Sequence, residues 1–121
     1  MTLQECYQAM GGDYTDVVSR LRSDRLVQKF VLKFLDDGSY DLLCRSLEGK
    51  QYEEAFRAAH TIKGMCQNLS FNRLLESSSR LTEALRSGRT TEAGALFQEV
   101  ADDYQATVAA ILKFKAENEG V

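Results

Sequence analysis

Proline is absent from the 121 residues, and glycine is concentrated at Gly11, Gly12, Gly38, Gly49, Gly88 and Gly120. Proline breaks a helix interior, whereas glycine closes a helix at little cost in the left-handed conformation. A chain punctuated this way reads as a series of helices, and the apolar spacing says where they run. Asp13 or Thr15 can cap a short helix through Leu21, and Ser23 the next, from Asp24 to Leu35, with Leu26, Val27, Phe30, Val31, Phe34 and Leu35 as its stripe. Ser39 is expected to cap a helix from Tyr40 to Leu47 that Gly49 ends. A longer helix follows from about Gln51 to Leu69; Ser70 or Asn72 can cap its successor, which carries Leu74, Leu75, Ser78, Leu81 and Leu85 toward Gly88. Leu96, Val100, Tyr104, Val108, Ile111 and Phe114 mark a last helix from Thr91 to about Lys115, weakened at Gly94.

Short connections between amphipathic helices favour antiparallel neighbours. The expected fold is therefore all-α, an up-and-down antiparallel four-helix bundle with short N-terminal helices, forming one domain over residues 1–121. Apolar runs are short and broken by charge, and the start, Met1 to Glu5, has neither a basic n-region nor a cleavable apolar stretch, so a cytoplasmic protein without membrane attachment is expected. Cys6, Cys44 and Cys66 are odd in number and never form a Cys-x-x-Cys pair, which speaks for small buried hydrophobes over a disulfide framework or a zinc site. With 15 basic against 18 acidic side chains, the chain has no electrostatic footprint for nucleic acid. No glycine-rich phosphate loop accompanies a strand pattern, so the chain is not expected to use a nucleotide by itself.

His60 is the only histidine. On a helix advancing about 100° per residue, Ala55, Ala58, Ile62, Met65, Cys66 and Leu69 gather within about 60° of the pole opposite His60. The core therefore lies behind this histidine. Glu53, Arg57, Lys63, Gly64 and Gln67 share its own side, joined by one aromatic outlier, Phe56, about 40° away. Phe56 has two readings at this point, a core residue tucked under a loop or the apolar centre of a contact patch.

The stretch Phe56-Arg57-Ala58-Ala59-His60-Thr61-Ile62-Lys63-Gly64, continuing to Gln67-Asn68-Leu69, resembles the signature of histidine-containing phosphotransfer domains, with lysine at plus three and glycine at plus four from the histidine. The resemblance implies a four-helix bundle in which His60 accepts a phosphoryl group from a receiver-domain aspartate and passes it to another receiver domain. It makes Lys63 the neighbouring cation and Gly64 the place where a side chain must be absent. Met65 and Ser70 depart from the small residue at plus five and the glycine at plus ten that the family often carries. Thr82 falls where some members place a glutamine beside the histidine, on the adjacent helix.

These assignments suit the chemistry. Phosphoryl transfer asks for an in-line nucleophile and positive charge near the equatorial oxygens, and leaves little covalent work for the protein. Imidazole supplies the nucleophile, and Lys63, one turn along, a mobile point charge. Gly64 weakens the helix by about 1 kcal/mol, and clearance for a phosphoryl group and a partner loop accounts for its presence. Glu53 and Glu54 do not converge with a third carboxylate, so no cofactor is expected and magnesium would come with the receiver.

The expected partners are response-regulator receiver domains and a hybrid sensor histidine kinase, met by a monomer. Phe56, Arg57, Gln67 and Thr82 are the candidate docking residues. The chain is then a phosphoryl carrier rather than an enzyme. Two other readings share the sequence: a non-catalytic adaptor binding a receiver domain or other helical partner, and the substrate domain of a chemotaxis-type histidine kinase.

Overall fold

The computed structural model describes residues 1–119, and within them the backbone forms α1 (Leu3–Met10), α2 (Tyr14–Leu21), α3 (Asp24–Phe34), α4 (Ser39–Glu48), α5 (Tyr52–Leu69), α6 (Asn72–Arg86), a 3₁₀ turn (Thr90–Glu92) and α7 (Ala93–Glu119). There is no strand among the described residues. The fold is all-helical, as the glycine and apolar spacing predicts. Gly120, read as a helix stop, lies outside the described residues.

α1 has a sequence signal of its own. The Thr2 hydroxyl accepts the Glu5 backbone N–H at 3.1 Å, and the Glu5 carboxylate accepts the Thr2 N–H at 2.7 Å. This reciprocal capping box satisfies two backbone donors that would otherwise lack partners. Gly11 ends the helix at φ 72°, and Gly12 passes so close to the Tyr7 ring and the Ser70 carbonyl that a Cβ would sit 2.7 and 2.9 Å from them. Asp13 rather than Thr15 caps α2, through the Asp16 N–H at 3.0 Å, and Ser23 caps α3 as expected.

Two caps fall elsewhere than the sequence suggests. Ser39 lies inside α4; its own N–H donates to Asp37 Oδ2 at 2.8 Å, so the carboxylate two residues upstream satisfies the helix start. Ser70 closes α5 rather than opening α6, at φ 58° with its N–H on the Cys66 carbonyl, and Asn72 is already helical behind Phe71. The reason lies in the packing of Phe71. It is fully buried against Tyr7 and Phe34, with ring centroids 5.6 and 5.2 Å away, which leaves the turn no room to place a polar cap there.

α5 holds the centre. It packs between α4 and α6, α6 packs on α7, and the stacked rings of Tyr40 and Tyr104, 3.9 Å apart, join α4 to α7. The inner face of α5 is Ala55, Ala58, Ala59, Ile62, Cys66 and Leu69, all buried. Facing it, α6 buries Ser77, Ser78, Thr82 and Ala84 among its leucines. Small side chains on both surfaces let the two backbones approach closely. The serine hydroxyls do not remain unpaired, since both donate to the Leu74 carbonyl, at 3.3 and 2.7 Å.

The N-terminal helices are tied to this frame. α1 packs on α7, and the buried Tyr7 phenol donates to the Leu69 carbonyl at 2.8 Å. Arg20 donates to the carbonyls of Gln67 and Asn68 and to Ser70 Oγ, at 3.2, 2.6 and 2.7 Å, placing positive charge at the C-terminus of α5. Of the cysteines, Cys6 and Cys66 are buried and Cys44 is half-buried; burial pushes the Cys6 thiol up to about 11 and that of Cys66 up to about 12. No helix among the described residues is long and apolar enough to cross a membrane.

Candidate functional site

The amphipathic pattern of α5 places its chemistry on the outward face. His60 is exposed, with Arg57, Thr61, Gly64 and Gln67 also exposed around it, while Ala58, Ala59 and Ile62 turn inward. The outward placement of the histidine is as the spacing predicts. Lys63, one turn further, is half-buried. Such a lysine lays its methylene stem along the helix and keeps its ammonium near the surface. A Cβ built on Gly64 meets nothing within 4 Å, so this glycine does not serve a helix crossing. It leaves open space beside the histidine.

Phe56 is neither fully buried nor fully exposed. It is half-buried and rests on the core, and its ring lies parallel to the imidazole, with centroids 5.8 Å apart and planes 5° from one another. This i, i+4 stack holds an aromatic surface beside the imidazole. Above Phe56 lies the guanidinium of Arg86, 5.1 Å from the ring centroid.

Thr82 does not join the site. It is 1 % exposed, and its hydroxyl donates to the Ser78 carbonyl at 2.7 Å. The docking role expected of it is therefore corrected. On the helical wheel Thr82 falls on the edge of the stripe made by Leu74, Ser78, Leu81 and Leu85, and a short side chain there can satisfy itself on its own helix. On α6 it is Arg86, one turn later, that lies over Phe56. The sequence signal for it was present, a cation four residues beyond the counted position, yet it reads equally well as a charge complementing the helix C-terminus.

Two clefts flank this face. One, of about 460 Å³, is lined by Tyr52, Glu53, Phe56, Leu85 and Arg86 between the start of α5 and the end of α6. The other, of about 400 Å³, is lined by Phe30, Lys33, Met65, Asn68 and Leu69 between α3 and α5. Among the described residues, no three His, Cys, Asp or Glu side chains gather as a metal-ligating group.

The arrangement offers a solvent-facing imidazole, Lys63 one turn along the helix, Phe56 one turn back with Arg86 over its ring, and open space at Gly64. Comparison with known families agrees with that chemistry. The model of the Hpt domain matches residues 26–110, from α3 into α7, and so contains the whole His60 helix, while α1 and α2 precede the match. No curated protein and no solved structure matches the chain. With more than half of its length matched, the chain belongs to the Hpt domain family and has a phosphotransfer role in two-component signalling.

Proposed function

We propose that His60 is a phosphorelay intermediate, taking a phosphoryl group from the aspartyl phosphate of one receiver domain and giving it to the aspartate of another. An imidazole nitrogen lone pair forms the N–P bond as the donor's acyl O–P bond breaks, releasing the aspartate carboxylate; the second transfer reverses these bonds on the acceptor. Lys63 draws the equatorial oxygens and lessens their repulsion by the donor carboxylate. Gly64 leaves the receiver's loop its path. Phe56, Arg57 and Gln67 form the docking patch around the ring. The chain acts as a monomeric, cytoplasmic phosphoryl carrier without a nucleotide site of its own, and magnesium belongs to the receiver's acidic pocket. In this reading α4 to α7 are the up-and-down antiparallel four-helix bundle, with α1 to α3 as the short N-terminal helices.

The observation that carries the proposal is the exposed His60 on the outward face of α5, beside an unfilled gap at Gly64, within the family match. A relay assay tests it. Radiolabelled phosphate on one receiver domain should appear on a second only when this chain is added, and His60→Gln should stop the transfer. Passage at the same rate through the variant would refute the assignment.

A further inference from the structure

Arg86, at the end of α6, stands between two partners. Its guanidinium lies over the Phe56 ring at 5.1 Å, and its Nε is 3.3 Å from Glu83 Oε2. Phe56 lies parallel to His60 on the other helix. The order Arg86, Phe56, His60 is a chain of side chains linking α6 to the reactive ring. The salt bridge with Glu83 is about half exposed on both sides, so it contributes little to stability and does not by itself explain the place of the arginine.

An exposed imidazole on a helix has a broad χ2 and two staggered χ1 wells open to it. Transfer in line with a breaking bond uses only the orientations that aim a nitrogen lone pair at phosphorus. A parallel neighbouring ring restricts those orientations, and it does so only while it is itself held in place. A cation over the π face of Phe56 holds it, attracted by the negative face of the ring.

We propose that Arg86 is a positioning residue for His60, acting through Phe56. Arg86 fixes the Phe56 ring from α6, and Phe56 fixes the imidazole plane from one turn below on α5. The small residues between α5 and α6 bring the guanidinium close enough to do this. The proposal rests on His60 being the phosphoryl acceptor.

The full-length chain is tested with phosphoramidate, a small donor that needs no docking surface. His60 forms an N–P bond as the donor's P–N bond breaks and ammonia leaves. Release of the imidazole into the two χ1 wells a helix leaves open, each with a broad χ2, should slow labelling of Arg86→Ala by about twofold to fourfold. Arg86→Lys, which keeps a cation over the ring, should recover most of the rate, and Phe56→Leu should behave like Arg86→Ala. In the unphosphorylated protein, NMR should show the His60 ring protons losing the ring-current shift of Phe56 in Arg86→Ala and retaining it in Arg86→Lys. A labelled wild type whose Arg86→Ala variant keeps both rate and ring shifts overturns the positioning role alone. A wild type that takes no label on His60 overturns the acceptor reading beneath it.

Discussion

Replacing Gly64 should separate stability from transfer, because the same residue weakens the helix and, in the proposed relay, leaves space for the phosphoryl group and its partner. Gly64 is exposed in the interior of α5, and a Cβ there meets nothing within 4 Å. Gly64→Ala should therefore gain the full difference in helix propensity, about 1 kcal/mol, with no steric cost in the isolated protein. Unfolding entropy of about 2.1 cal/mol/K per residue gives about 0.25 kcal/mol/K for a chain of this size, so the melting temperature should rise by about 4 °C. Gly64→Gln should gain somewhat less, and it fills the gap. Overpacking of a close approach costs about 1–3 kcal/mol, which corresponds to about a fivefold to 150-fold loss in the second-order rate of transfer from a phosphorylated receiver. Circular dichroism melts and single-turnover transfer check the two halves. A Gly64→Gln protein that transfers at the wild-type rate refutes the clearance argument. A fall in the melting temperature of Gly64→Ala refutes the description of open space.

Other changes reach different parts of the account. Lys63→Ala should leave the melt nearly unchanged but slow transfer by about tenfold and shorten the lifetime of the phosphorylated protein, since a charge-assisted contact of about 1.5 kcal/mol is lost; equal rates and lifetimes would remove its role. The network at the end of α5 should be sensitive to acid. Hydrogen bonds from Ser70 and then Arg20 hold the Asp16 carboxyl below its ordinary value. A depressed pKa in the folded state means stability that is present above the unfolded value of about 3.9 and is lost as pH falls through the lower folded value. Denaturant titrations from neutral pH down to about pH 2 should show Asp16→Asn losing less stability than wild type across that window; parallel curves would contradict the linkage.

Much of this architecture was legible because α5 keeps a clean division between its faces. Ala55, Ala58, Ile62, Cys66 and Leu69 are buried and His60, Arg57, Gly64 and Gln67 exposed, as spacing alone requires, while Met65 of the inward set and Lys63 of the outward set are both half-buried. What spacing misses is decided by tertiary contact. Nothing local says that Phe71 will be pinned between Tyr7 and Phe34, and that contact is what moves the α5 to α6 boundary and assigns Ser70 to the earlier helix. Thr82 was placed by its height along α6, although it falls at the edge of the apolar stripe, where packing against the bundle buries it. Arg86 lies over Phe56 where small residues bring α6 against α5, a consequence of packing rather than of pattern. The helix α1, by contrast, was readable in principle from Thr2 and Glu5, a capping box that a search for long apolar stripes passes over.

The proposed relay turns on one atom group, the His60 imidazole, as carrier of the phosphoryl group. The chain, incubated with a phosphorylated receiver domain, should acquire one phosphate that is labile in acid and stable in base, and fragmentation should place it on His60. Phosphate that appears on another residue, or that His60→Gln still acquires, would contradict the account.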